Sequence, residues 1–512
     1  MCVTSFSQLS DGGKMADVKK GEGNSMPNGT RTRQDVWKLN QWDPTILWFA
    51  KAIADMQTRP FTDPTSWRYQ AAIHDYTPAD DPNPKVAMPS AATQKTFWKQ
   101  CQHGSWFFLP WHRMYLFYFE QIVAATVTKL GGPSGWSLPY WNYSDPGNPS
   151  ARKLPTAFRA PKLPDGTSNP LLIAARAPGV NQGADVSGAA DVELQTSLSK
   201  QSFVAQPHGG DPGFGGPQTG FSHNGASVGE LERVPHGLIH MDVGGQDGWM
   251  SAFDTAALDP IFWLHHANLD RLWTVWMGRA GGHANPNANN WRNQSFQFHD
   301  ATGNVVSLSP AQVVDTTVAP LRYQYQDVSD PLGPAVAAPL VGLQVEQQPP
   351  PEMVGATTAP HALAEQPTTA HLSVAAPTGP GLVAAPSGAA QRIYLNIENI
   401  TGTGKSTGYE VYLNLPPDAD PQQHRDKLVG ILPMFGVAEA SRSDAQHAGS
   451  GLHYALDATD VIRRLQANNA WNPTDLRITF VPRRRGDVAP PGLSAARPGG
   501  AIQVGRISLY YA

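Results

Sequence analysis

The chain has 512 residues, with 38 Lys and Arg against 42 Asp and Glu, 40% hydrophobic residues and a formal net charge of −4. This balance excludes a strongly basic nucleic-acid binder, and no apolar run approaches the roughly 20 residues of a membrane span. Two cysteines, Cys2 and Cys101, exclude a disulfide framework, while 48 Gly and 46 Pro predict long loops or linkers between compact domains.

Residues 1–30 are polar and Gly/Ser-rich and read as a disordered N-terminal arm. They lack the apolar core of a secretory signal, so the expected location is cytoplasmic, or outside the cell by carrier-assisted export. Residues 31–328 are rich in Trp, Phe and His and read as a mainly α domain, a four-helix bundle core with long loops. Asp43-Pro44 starts a helix to about Gln57, with Asp as N-cap and Pro at the first helical position. Pro110 opens a second that ends near Gly131-Gly132, and Asp259-Pro260 opens a third from Ile261 to about Gly278. A short helical segment, Val234 to Met241, stops before Gly244-Gly245. Between Ser144 and Gly229 the text is Gly/Pro-rich with little periodicity, as expected of loops draped over a core.

Residues 329–390 turn into Pro/Ala/Thr/Gly-rich text without an aromatic residue, which reads as an extended linker. In 391–512, alternating runs at Ile393–Ile397, Tyr409–Leu415, Leu476–Val481 and Ile502–Leu509 predict a C-terminal antiparallel β-sandwich or barrel-like domain. Gly404-Lys405-Ser406-Thr407 is rejected as a phosphate loop, because the position five before Gly404 is Asn399 and a strand follows. Arg483-Arg484-Arg485 reads as a solvated charge run.

Histidine spacing carries the chemistry. His236 and His240 are four apart on one helical face, His103 and His112 flank the start of the second helix, and His265-His266 lie early in the third. His112 follows Phe107-Phe108-Leu109-Pro110-Trp111, and His266 follows Ile261-Phe262-Trp263-Leu264 with His265 between, so these imidazoles belong to an aromatic interior. A buried imidazole needs a partner for each ring nitrogen, and either backbone carbonyls or a shared metal satisfies that need. A zinc hydrolase would need a Glu between the paired ligands, where Gly237-Leu238-Ile239 stand instead. A carboxylate-bridged di-iron site would need Glu-x-x-His pairs, which these helices lack. An all-imidazole set suits copper best among the redox metals.

These residues resemble the type-3 copper proteins, specifically the tyrosinases and polyphenol oxidases. The resemblance rests on Cys101-x-His103, Phe108-Leu109-Pro110-Trp111-His112-Arg113, Glu232-x-x-Pro235-His236-x-x-x-His240 and the run from Asp259 to Trp273. Tyr323-Gln324-Tyr325 is similar to the motif that closes the family's core domain, and the tail resembles the C-terminal domain of latent polyphenol oxidases.

The resemblance implies two copper ions, one on His74, His103 and His112 and the other on His236, His240 and His266, with O2 as co-substrate. It also implies a thioether from Cys101 to His103, with His265 as a neighbour in the substrate pocket. Glu232 would orient an active-site water or be a helix-start acid, and Phe253 would be an aromatic over the first copper or an ordinary core residue. Asn142 and Tyr143 stand where relatives have Asp and Trp, a difference expected to be structural. Gly237, where many monophenol-hydroxylating relatives carry Asn, bears on hydroxylation. Asp270 is expected to orient a ligand ring or to pair with Arg271 or a distant Arg.

The implied function is tyrosinase chemistry on small phenols and catechols: ortho-hydroxylation of monophenols and oxidation of o-diphenols to o-quinones. A catechol oxidase without hydroxylation and a hemocyanin-like oxygen carrier are the alternatives. No nucleic-acid or membrane partner is expected, homo-oligomerisation is open, and the β domain is expected to lie over the site as a lid.

Overall fold

The computed structural model describes residues 29–78, 81, 86–221, 227–333, 350–375, 392–403, 408–443, 448–483 and 501–512. The helical domain begins with strand β1 (Arg31–Arg33) and helices α1 (Pro44–Thr58), α2 (Trp67–His74), α3 (Ala91–Phe97) and α4 (Phe108–Lys129). After a loop region holding only short turns, including α5 (Gln195–Leu198), come α6 (Leu238–Gly244), α7 (Phe253–Ala256), α8 (Ile261–Gly278) and α9 (Asn289–Arg292). A hairpin of β2 (Phe296–His299) and β3 (Val305–Leu308) follows, and β4 (Tyr323–Tyr325) returns to pair in parallel with β1.

The helix punctuation acts as its chemistry dictates. Asp43 accepts the Thr45 amide at 2.9 Å ahead of Pro44, and Asp259 accepts the Ile261 amide at 3.1 Å at the start of α8. Asp259 is also clamped by Arg176, whose two contacts at 2.7 Å tie the loop region to the end of α8 nearest the histidines. The segment expected as one helix from Val234 is broken. Pro235 lacks an amide proton and Val234 takes extended angles, so a wide turn over Glu232–Gly237 precedes α6.

The chain start and the domain end are joined by buried charge. Arg33 bonds Glu120 of α4 at 2.6 Å and Asp270 of α8 at 3.2 Å, and Arg113 of α4 takes the other oxygen of Asp270. Tyr323 and Tyr325 both donate to Asp270. Asp270 therefore pairs with distant arginines and not with its neighbour Arg271, and this cross-brace fixes α4 against α8.

The C-terminal domain contains β5 (Glu352–Ala356), β6 (His361–Leu363), β7 (Thr368–Leu372), β8 (Ile393–Gly402), β9 (Tyr409–Leu413) and β10 (Leu428–Leu432). It continues through α10 (Val437–Ala440), β11 (Leu452–Asp457), α11 (Thr459–Ala467), β12 (Leu476–Pro482) and β13 (Ile502–Tyr511). One sheet runs β10-β9-β12-β7 and the other β11-β8-β13-β5, with β6 also on β13. Both sheets are antiparallel and neither closes on itself among the described residues, so the architecture is a sandwich and not a barrel.

The expected linker over 329–390 is corrected by these strands. β5, β6 and β7 fall inside it because β12 and β13, more than 100 residues later, supply the backbone partners that local composition does not announce. Within it, 334–349 and 376–390 lie outside the described residues, as do residues 1–28 of the N-terminal arm.

Each domain lends the other a core residue. Phe435, just after β10, is packed into the helical core, while Val228 of the helical domain sits in the β core. Val234, Leu238 and Ile431 make a third cluster across the junction.

Replacing Arg33 by Met should lower the unfolding free energy by about 3–5 kcal/mol, because Glu120 keeps its buried charge and loses its cation. Urea denaturation followed by tryptophan fluorescence measures the change.

Candidate metal centre

Imidazoles gather at the junction of α2, α4, α6 and α8. His74 ends α2, His112 lies one turn into α4, His240 is in α6 and His266 is in the second turn of α8. His103 comes from the segment before α4, and His236 from the wide turn before α6. The ligand atoms of His74, His103 and His112 lie within 4.8 Å of one another, as do those of His236, His240, His265 and His266. The two groups face each other, with His112 and His266 stacked at 4.4 Å between ring centroids.

Backbone carbonyls orient four of the rings. The Nδ1 of His74 bonds the Phe253 carbonyl at 2.8 Å, that of His112 the Phe108 carbonyl at 2.8 Å, that of His236 the Glu232 carbonyl at 3.0 Å, and that of His240 the Met250 carbonyl at 2.8 Å. A carbonyl accepts only from N–H, so Nδ1 carries the proton and Nε2 presents its lone pair inward. The buried Nε2 atoms of His74, His112 and His236 make no hydrogen bond, and those of His240 and His266 lie 3.3 Å apart. Burial, then the neighbouring imidazoles, push the pKa values of His112, His236, His265 and His266 well down, and burial takes His74 to about 4. Neutral imidazoles with converging lone pairs and no carboxylate or paired thiolate among them fit copper.

Phe253, His265, Glu232 and Gly237 lie around the two histidine groups. Phe253 stacks on His103 at 4.3 Å and also edges His74. His265 is fully buried, lies over His236 at 5.6 Å and makes no hydrogen bond through either ring nitrogen. Geometry thus brings four imidazoles to the second group, and the three-and-three division comes from the family pattern. The Glu232 carboxylate accepts the Gly104 amide at 2.9 and 3.1 Å, and burial raises its pKa to about 8. Cys101 is a buried thiol whose pKa burial raises. Asn142 accepts from Arg271, and Tyr143 packs against His265.

The sequence leads to an expectation of the β domain over the site but does not identify the residue that covers it. Phe435 stacks on His240 at 4.0 Å, with an interplanar angle of 12°, and edges Phe253 at 4.5 Å. The cavity that remains, lined by His103, Glu232, His236, Gly237, Phe253, Phe435 and Tyr454 among others, measures about 40 Å³. That is room for a water or two and not for a phenol. The approach is close at two glycines. A Cβ on Gly237 would stand 2.8 Å from Pro433, and one on Gly436, at φ +78°, 2.3 Å from the Phe253 ring. An aromatic residue in a tight Pro-Met-Phe-Gly turn was the available signal, and it carried no indication of its target.

A tyrosinase of Hahella sp. (strain CCB-MM4) is 36% identical over 507 residues, which cover 94% of this chain and 99% of the relative. The chain belongs to the tyrosinase family. The family model for the common central domain of tyrosinase matches 64–279, the polyphenol oxidase middle domain matches 285–332, and a domain of unknown function matches 350–512. A chloroplastic polyphenol oxidase of Malus domestica is 29% identical over 294 residues, covering 55% of this chain and 46% of that protein. The structure of latent apple tyrosinase matches with a TM-score of 0.59 at 21% identity, covering 98% of this chain and 100% of that one, and shares the two-part fold. The protein is accordingly an enzyme of the tyrosinase and polyphenol oxidase kind, a family that implies a dinuclear copper centre. No described helix is long and apolar enough to cross a membrane.

A histidine held near 4 in the fold and near 6.5 when unfolded takes up its proton preferentially in the unfolded chain. The metal-free protein should therefore lose stability as pH falls from about 6.5 towards 4, where the several depressed imidazoles outweigh the one raised carboxyl of Glu232. Melting temperatures across that range check the sign.

Proposed function

We propose that the protein is a copper-dependent phenol oxidase that converts o-diphenols to o-quinones with O2 as co-substrate and ortho-hydroxylates monophenols. The reading is carried by two opposed histidine groups in which backbone carbonyls orient His74, His112, His236 and His240 so that their Nε2 lone pairs face inward. In it, His74, His103 and His112 hold the first copper, and His236, His240 and His266 hold the second. When bound, the copper pair supplies the redox chemistry.

The side chains do the rest. The face of Phe253 and the wall at His265 sandwich a flat phenol and exclude water from it. Glu232, fixed by the Gly104 amide and lining the cavity, accepts the phenolic proton, directly or through a water. Cys101 bonds to the His103 ring as a thioether, the thiol and ring C–H bonds breaking as O2 takes up the two protons and two electrons; the link locks that ring and appears in the intact mass as the loss of two hydrogens.

A second reading, diphenol oxidation without monophenol hydroxylation, is favoured by Gly237. It offers no side-chain amide beside His236 to hold a water or a phenolate.

The C-terminal domain acts as a lid, with Phe435 occupying the place of the substrate ring against His240. The full-length enzyme is then latent, and access requires Phe435 to leave.

Alanine at His103 or His266 should lower bound copper and abolish catechol oxidation; a variant with normal copper and turnover would refute the site assignment. Oxygen uptake with tyrosine, with catechol and with neither separates the readings: both substrates consumed for a tyrosinase, catechol alone for the second reading, and neither for an oxygen carrier. Phe435→Ala, or a chain ending at Val328, should oxidise catechol several-fold faster than the full chain. Equal rates on small and bulky phenols for the soluble, copper-loaded shortened chain and the full chain would rule out the lid.

A further inference from the structure

The two domains also meet through charge. Arg483 directly follows β12, and its amide donates to the Gly408 carbonyl at 3.0 Å, which fixes its backbone at the start of β9. Its guanidinium crosses to the helical domain, where one nitrogen lies 2.7 Å from Asp191 and 3.7 Å from Asp242. Arg483 is therefore not the solvated residue that a run of three arginines suggests; its two neighbours in that run lie outside the described residues. Both acids are held in place independently. Asp191 accepts the Gly188 amide at 2.8 Å, and Asp242, two residues after His240 in α6, accepts the Ser187 hydroxyl at 2.7 Å.

Position in the sheet makes this contact more than general adhesion. Pro482 is in register with Tyr409, and Tyr409 with Leu432, three residues before Phe435. The charge contact and the aromatic plug thus hang from the same end of one sheet. The side chains of Arg483, Asp191 and Asp242 are only 16%, 9% and 14% exposed, so water screens them less than a surface pair, while salt at about 1 M, with a screening length of about 3 Å, still weakens the contact. Two carboxylates within reach of one nitrogen repel each other once that nitrogen leaves.

We propose that Arg483 is an electrostatic clamp that keeps the C-terminal domain seated over the cavity, by sharing its guanidinium between Asp191 and Asp242. The proposal rests on the reading of that domain as a lid, so its test needs a readout independent of turnover. In copper-loaded full-length enzyme, R483Q should speed amide hydrogen exchange over 434–437 relative to α4 and raise the rate of catechol oxidation about tenfold, the scale of a coupled charge contact. R483K, which retains the charge, should stay near wild type. Sodium chloride should speed exchange over the same segment in the wild type and have little effect in R483Q, an arm that needs no stable variant.

Unchanged exchange in R483Q, R483K behaving as R483Q, or wild-type exchange indifferent to salt would overturn the clamp. Faster exchange without a gain in turnover would uphold the clamp and refute the lid.

Discussion

The structure depends on keeping a nest of imidazoles dry, neutral and aimed inward. Burial makes protonation costly for His74, His112, His236, His240, His265 and His266, and for His112, His236, His265 and His266 the imidazoles nearby raise that cost further. Carbonyls of Glu232, Phe108, Met250 and Phe253 then take the Nδ1 protons, which determines which nitrogen is left to face the centre. The arrangement leaves buried acceptors without donors, a local cost of about 1–3 kcal/mol each that bound metal would offset. The Arg33, Glu120, Asp270 and Arg113 network has a related task further out. It holds α4 and α8 in register so that His112 and His266 stack across the centre.

The second organising feature is the exchange of core residues between domains. A lid that merely rested on the surface would leave a wet groove. Here Phe435 completes the aromatic wall formed by His240 and Phe253, and Val228 fills the β core in return. The exchange makes the seating of one domain on the other specific, and under the proposed lid reading it would tie substrate access to displacement of one ring. Gly237 gains a second meaning in this setting, because a larger side chain there would collide with Pro433.

Legibility followed locality. α1 and α8 could be bounded from sequence because Asp43-Pro44 and Asp259-Pro260 act within one turn of the residues they cap. β8, β9, β12 and β13 could be seen because alternation is a property of the strand itself. β5, β6 and β7 could not, since short Thr- and Ala-rich segments become strands only where β12 and β13 offer them an edge. The helix expected from Val234 failed for a local reason that was in view, Pro235, and the paired histidines still meet because the wide turn preserves their common side.

What the sequence alone determined was the inventory of the chemistry: which histidines stand among aromatic residues, where the helices that bear them start, and which family pattern they match. These follow from covalent order and short-range capping, which the chain carries wherever it is. Only the tertiary structure decided that four imidazoles converge at the second group, that Asp270 serves Arg33 and Arg113 and not Arg271, and that Phe435 closes the cavity from more than 150 residues beyond α8. Such contacts are chosen by packing between segments far apart in sequence, and no local pattern encodes the partner.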